Sequence, residues 1–177
     1  MTQNPTLYIL CGLPFAGKST VARALAARSG CAQIEIDAIN TARGLGLDGS
    51  ALSAADWHAT YQLAFDELKR TLTAGQSASF DATNYTRAQR GHLRALATAA
   101  GAVSVTIFGD VAPVAARRRW LANRARGASE RNDVRDDDFQ NVLDHFEPPA
   151  PEERTLRYDG AESLEVWLRG VDELALQ

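Results

Sequence analysis

Hydrophobic positions along this chain switch repeatedly between a strand-like and a helix-like period. Leu7 to Cys11 (LYILC) is a continuous apolar run closed by glycine, the pattern of a short strand buried on both faces. From Lys18 to Arg28, Val21, Ala22, Leu25 and Ala26 fall at helical spacing, and Gly30 supplies a stop. Ala32 to Ile36 reads as a second strand, and residues 40–52, glycine-containing and without periodicity, read as a loop. Ser53 with Asp56 three residues on forms a capping pattern. It opens a helix whose stripe of Trp57, Tyr61, Phe65, Leu68 and Leu72 reads as core and which Gly75 ends.

A third strand is expected at Ser77 to Phe80, then a helix opened by Thr86 with Gln89 and closed at Gly101, then a fourth strand at Ala102 to Phe108. Pro113 stands near the start of an arginine-rich helix ending by Gly127, with a polar, mobile connection expected to Asp133. Phe139, Val142, Leu143 and Phe146 mark a short helix, and Pro148, Pro149 and Pro151 break the chain after it. Thr155 to Tyr158 is the last predicted strand, followed by a closing helix on Leu164, Trp167, Leu168, Val171 and Leu174. Such alternation implies an α/β fold, a parallel sheet covered on both faces by right-handed crossovers, within a single domain spanning residues 1–177.

Composition narrows the function classes. At 177 residues, 45% hydrophobic and 23% charged, the chain is of globular type and large enough for a substantial core. Its net charge of −3 does not draw nucleic acid or an anionic membrane surface by the whole-molecule field, so a polyanion has to be gripped locally. No apolar run reaches the roughly 20 residues of a membrane-spanning helix, and Met1 to Thr6 lacks a basic start before an apolar segment; a cytoplasmic location is expected. Cys11 and Cys31 read as buried thiols, and His58, His92 and His145 show no zinc-type spacing, so a metal held by His or Cys is not expected.

Gly12 to Ser19 reads GLPFAGKS, the Gly-x-x-x-x-Gly-Lys-Ser/Thr pattern, and it stands between a predicted buried strand and a predicted helix. At this chain's own residue frequencies a chance match arises in about one chain in a thousand. Gly12, Leu13, Pro14, Phe15, Ala16 and Gly17 supply a backbone that can fold around phosphate oxygens, helped by the positive end of the following helix. Lys18 adds a full charge for the β- and γ-phosphates, the Ser19 hydroxyl is a ligand for Mg²⁺, and Thr20 assists nearby.

Ligands of open parallel sheets collect beyond the carboxyl ends of the strands. Asp37, after AQIEI, and Asp81, after SASF, are expected just past the last residues that pair. Phosphoryl transfer to an alcohol uses one carboxylate to orient the hydroxyl and take its proton, and a second acid beside the metal. The first role goes to Asp37 and the second to Asp81. Each has another reading: Asp37 as a cap of the segment after it, Asp81 as a turn former bonded to N–H groups around Thr83 and Asn84. Arg117, Arg118, Arg119, Arg124, Arg126, Arg131 and Arg135 crowd one segment. Arg124 and Arg126, late in the helix, are the candidates for a lid, about 117–135, that closes on the transferring phosphoryl group.

With these residues in place the chain resembles P-loop kinases of the polynucleotide 5′-hydroxyl kinase type, related to the zeta toxin and other small kinase-like ATPases. The resemblance runs from Leu7 to Glu153 and rests on GLPFAGKST, on FDATN at Phe80 to Asn84, on NRAR at Asn123 to Arg126, and on FEPP at Phe146 to Pro149 with acids soon after. It implies a P-loop NTPase three-layer sandwich, a five-stranded parallel sheet in the order 2-3-1-4-5, ATP with Mg²⁺, Asp37 as general base, and a lid bearing Arg124 or Arg126. Kinases acting on nucleic-acid ends often carry an arginine three residues after the base aspartate. Here that position is Asn40, with Arg43 the nearest substitute, which weighs against a polynucleotide.

The leading expectation is an ATP-dependent kinase acting on a hydroxyl of a small molecule or a nucleic-acid 5′-end. An ATP-hydrolysing switch and a nucleotide-binding regulatory module are the alternatives.

Overall fold

The computed structural model describes residues 4–45, 52–126 and 134–175, the side chains of 172–175 excepted. Its elements are β1 (Thr6–Gly12), α1 (Lys18–Ser29), β2 (Ala32–Glu35), α2 (Ile36–Ala42), α3 (Ala54–Thr73) and β3 (Ala78–Asp81). They continue as α4 (Arg87–Ala99), β4 (Val103–Gly109), α5 (Pro113–Ala125), α6 (Asp136–Asp144), β5 (Thr155–Tyr158) and α7 (Leu164–Ala175). The strands form one parallel sheet in the order β2-β3-β1-β4-β5, which is the expected order with the phosphate-loop strand in the middle.

Every residue of β1 is buried, and its side chains alternate between two cores, as strand geometry dictates. Leu7 and Ile9 face Ala64, Leu68 and Leu72 of α3 and Leu93 and Ala97 of α4. Tyr8 and Leu10 face Val21, Ala22 and Leu25 of α1 and Leu168 and Val171 of α7. A third cluster, beside the sheet, joins Leu13 of the phosphate loop to Ala116 and Trp120 of α5 and Phe139 and Val142 of α6. Both expected capping boxes are present, Ser53 with Asp56 at α3 and Thr86 with Gln89 at α4. Cys11 and Cys31 are buried free thiols. No helix among the described residues is long and apolar enough to cross a membrane.

Several expectations are corrected. Part of the predicted loop is the helix α2, which begins at Ile36, so β2 ends at Glu35 and Asp37 stands in a helical first turn rather than beyond a strand. Nothing local announces this helix: Glu35 occupies its N-cap without a side-chain bond. Tertiary contact holds it, through buried Ile36 and through Asn40, fully buried, whose Oδ1 accepts a hydrogen bond from Thr60 Oγ1 on α3 at 2.5 Å. Asp81 does not lie past the pairing residues either, because it is the last residue of β3 and stands in register with Glu35. Phe146 falls beyond α6 and stacks on Phe108 of β4. The expected mobile connection to Asp133, Arg131 included, and residues 46–51 of the 40–52 segment fall outside the described residues.

Candidate active site

Gly12 ends β1 where the strand runs closest to β4. A Cβ there would meet the Gly109 carbonyl oxygen at 2.8 Å, and its φ of 147° lies where side chains are strained, so the position demands glycine. Gly12 N–H donates to Thr83 O at 3.1 Å, and buried Asn84 donates from Nδ2 to Leu10 O at 2.7 Å. Asn84 itself has φ 43°, a conformation Asn tolerates better than most residues. These bonds stitch the turn after β3 to the end of β1, which fixes Asp81 and Thr83 beside the glycine loop.

The loop turns through left-handed Phe15 (φ 62°) and Gly17 (φ 90°) and delivers the chain into α1. Gly17 caps α1 with no side-chain acceptor, and the first turn holds no acid. The positive end of the helix dipole favours an anion there. Lys18 is buried, with its ammonium donating to Gly12 O at 3.1 Å and Leu13 O at 2.8 Å. Leu13, packed in the third core cluster, ties the loop to α5 and α6.

Beside the loop lies a cavity of about 550 Å³, within the size range of small-molecule sites. Pro14, Phe15, Lys18 and Ser19 wall one side, and Asp37 and Asp81 share the cavity with them. The predicted cradle and both predicted carboxylates thus come together. Leu13 turns into the core instead, and Gly12, Ala16, Gly17 and Thr20 do not line the cavity. Trp57 and Tyr61, read as core, also line it; of that stripe Leu68 and Leu72 are fully buried, and Phe65 is half-buried against the core.

Glu35 was not anticipated. It sits on the cavity wall between Asp37 and Asp81, and its carboxyl is pushed above the ordinary range, by burial first and then by the negative charge of Asp81, with Arg23 pulling the other way. A raised carboxyl favours the fold while protonated and loses that contribution as pH rises through its folded value. Glu35→Gln is therefore expected to melt higher than the parent at neutral pH, with the difference shrinking toward pH 4; thermal melts of the ligand-free protein across that range read it. Burial likewise pushes the Tyr61 hydroxyl up to about 12, reinforced by Asp37 and Tyr85, so it stays a neutral donor at the cavity wall.

The arginines arrange differently from expectation. Arg124 pairs with Asp136 and stacks over Trp120, 4.7 Å from its ring centroid, while Arg126 is exposed at the C-cap of α5. Neither lines the cavity. Arg119 reaches the phosphate loop, donating to Phe15 O at 3.3 Å. Asn40 is buried against Thr60, and Arg43 is committed to Asp56 O at 2.7 Å and Thr60 Oγ1 at 2.6 Å, which pins α2 to the start of α3.

Ser19 and Asp81 offer oxygen ligands, the donor chemistry Mg²⁺ prefers. No cluster of three or more His, Cys, Asp or Glu among the described residues could hold a metal by itself.

Behind the site, Arg90 is fully buried. Its Nε and Nη2 grip Glu153 at 2.8 and 3.0 Å, and its Nη1 donates to Asn84 O at 2.9 Å. Arg94 reaches the same carboxylate at 2.8 Å. Burial alone would raise the Glu153 carboxyl, but the Arg90 and Ala150 hydrogen bonds and both guanidinium charges hold it below the ordinary range. This triad braces the turn that follows Asp81.

A family model described as AAA domain matches residues 7–149. No curated protein matches the chain in sequence. Among solved structures of similar fold, a candidate kinase from Chloroflexus aurantiacus J-10-fl is 21% identical with a TM-score of 0.80, covering 99% of this chain and 98% of its own. Kti12 of Chaetomium thermophilum, in complex with ADP-AlF3, is 23% identical with a TM-score of 0.76, covering 95% and 96%. The Mycobacterium tuberculosis APS kinase CysC, in complex with AMPPNP and APS, is 17% identical with a TM-score of 0.69 and is matched over 100% of both chains.

Proposed function

From a chain that belongs to the AAA-domain family, within the P-loop kinase group, we propose an ATP-dependent kinase that transfers the γ-phosphoryl group to a hydroxyl acceptor. The observation that carries the reading is the shared cavity of Lys18 and Ser19 with Asp37. A phosphate loop alone would serve a switch as well, but a carboxylate across the same space can serve an attacking alcohol.

The N-terminus of α1 and the Lys18 ammonium would take the phosphates, so that Lys18 exchanges loop carbonyls for phosphate oxygens. Asp37 orients the acceptor hydroxyl and accepts its proton as the acceptor oxygen bonds to the γ-phosphorus. The bond from that phosphorus to the bridging oxygen breaks, and ADP leaves. Ser19 and Asp81 would hold Mg²⁺, which when bound offsets phosphate charge. For Arg124 and Arg126 to meet the phosphoryl group, α5 and α6 must shift toward the loop; Arg119 already stands there. The APS kinase of similar fold binds AMPPNP and APS together, in keeping with a nucleotide and an acceptor side by side.

Incubation with ATP, Mg²⁺ and a mixed pool of hydroxyl compounds is expected to give a new phosphomonoester in step with ADP. Release of inorganic phosphate alone would favour a switch instead. Lys18→Ala is expected to lower turnover by about 10²–10³-fold, the scale of removing one preorganised electrostatic group. Steady-state assays check it, and unchanged turnover would reject the role.

A further inference from the structure

We infer that the acceptor is a small alcohol carrying a cationic amine, whose charged end rests on Trp57 and Tyr61 while its hydroxyl meets Asp37. The inference rests on the kinase reading and specifies the acceptor that reading leaves open.

Three independent features of the cavity converge on it. First, the wall is acidic: Glu35, Asp37, Asp81 and Asp138 all line it. Among the described residues the cations on the wall are Lys18, held to the phosphate loop, and Arg23, whose charge acts on Glu35. A negatively charged acceptor would enter against this field, and nucleotide phosphates would add to the repulsion.

Second, Arg43, the next basic residue after Asp37 in the chain, is engaged outside the cavity lining. Arg43 binds the Asp56 carbonyl and Thr60 hydroxyl and lies 3.7 Å from the Asp56 carboxylate, and Asn40 is turned into the core. Neither is available to hold a phosphate or carboxylate on the acceptor.

Third, the wall places aromatic rings where the acids are. Trp57 and Tyr61 lie one helical turn apart on α3, and Tyr61 is backed by Phe65 at a centroid separation of 5.9 Å. An aromatic face attracts a cation through its quadrupole, most strongly when water is excluded, and neighbouring carboxylates reinforce that attraction. An uncharged polyol could donate hydrogen bonds to the carboxylates but would gain neither the charge attraction of the acids nor the cation–π attraction of the rings.

Radiolabelled transfer from ATP tests this with matched acceptors: glucosamine and small amino alcohols, their N-acetylated counterparts, glucose and simple polyols, and glucose 6-phosphate. Acetylation removes the charge and keeps the hydroxyls. The amines are expected to be phosphorylated on oxygen with kcat/KM about tenfold or more above the acetylated forms. Trp57→Leu should erode that preference by raising KM for the amines more than for the neutral compounds. Tyr61→Phe, which keeps the ring, should preserve it and guards against a Trp57 variant that fails to fold. Equal or better transfer to neutral or phosphorylated acceptors overturns the inference and leaves the kinase reading intact. Phosphate release with no phosphoester from any class overturns both.

Discussion

Asp37→Asn is expected to keep nucleotide binding and lose phosphoryl transfer by about 10²–10⁴-fold, the range that general-base catalysis contributes. The amide matches the carboxylate in shape and can still face an acceptor hydroxyl, but it cannot take the proton. Asp37 is exposed in the first turn of α2 and outside the three core clusters, so the fold should tolerate the change. Single-turnover assays separate chemistry from binding, and calorimetric titration with a non-hydrolysable triphosphate reads affinity. Weakened affinity with unchanged turnover of bound ATP would hand the base role to Glu35 or Asp81, which share the wall.

Glu153→Ala is expected to cost about 3–5 kcal/mol of stability, because it strands a buried guanidinium. Arg90 has no exposed surface, and the carboxylate accepts from its Nε and Nη2 while also taking the Ala150 N–H at 3.1 Å. Melting should fall by roughly 6–20 °C at this chain length. Arg94 is 32% exposed, so Arg94→Leu should cost far less. Since the partners hold the Glu153 carboxyl below its ordinary range, its contribution is present at neutral pH and above the unfolded value, and is lost as pH falls through the lower folded value. Denaturant titrations at pH 7 and in mild acid read both effects. A combined Arg90→Met, Glu153→Leu variant should recover part of the loss, because exchanging a buried ion pair for packed apolar groups is often near neutral.

What could be read from sequence was whatever rests on contiguous residues. LYILC announces a strand that must be covered twice, Ser53 with Asp56 and Thr86 with Gln89 announce helix starts through bonds three residues long, and GLPFAGKS announces the loop by its own spacing. The helix α2 was illegible because it lacks a side-chain cap and is held instead by Asn40 meeting Thr60, 20 residues away. Glu35 carries no mark of its own within AQIEI, and only the pairing of β2 with β3 sets it beside Asp81. Trp57 and Tyr61 share a periodicity with Leu68 and Leu72, and periodicity cannot tell which end of an apolar stripe overhangs a cavity. Arg119 carried no local mark separating it from Arg117 and Arg118; its distinction is a carbonyl 104 residues distant. The Arg90–Glu153 contact spans 63 residues, so neither residue alone suggested that the other would follow it into the interior.

That last contact also bears on how the chain reaches its native state. Glu153 stands two residues before the edge strand β5, so a polypeptide emerging from the ribosome can pair β1 with β3 and β4 while Arg90 still lacks its counter-ion. Until the final strand arrives, that guanidinium has to stay hydrated, and the interior beneath α4 cannot seal. A contact completed by the last strand is expected to form after the rate-limiting step, so altering it should change chiefly how fast the finished molecule comes apart, which denaturant-dependent folding and unfolding rates read.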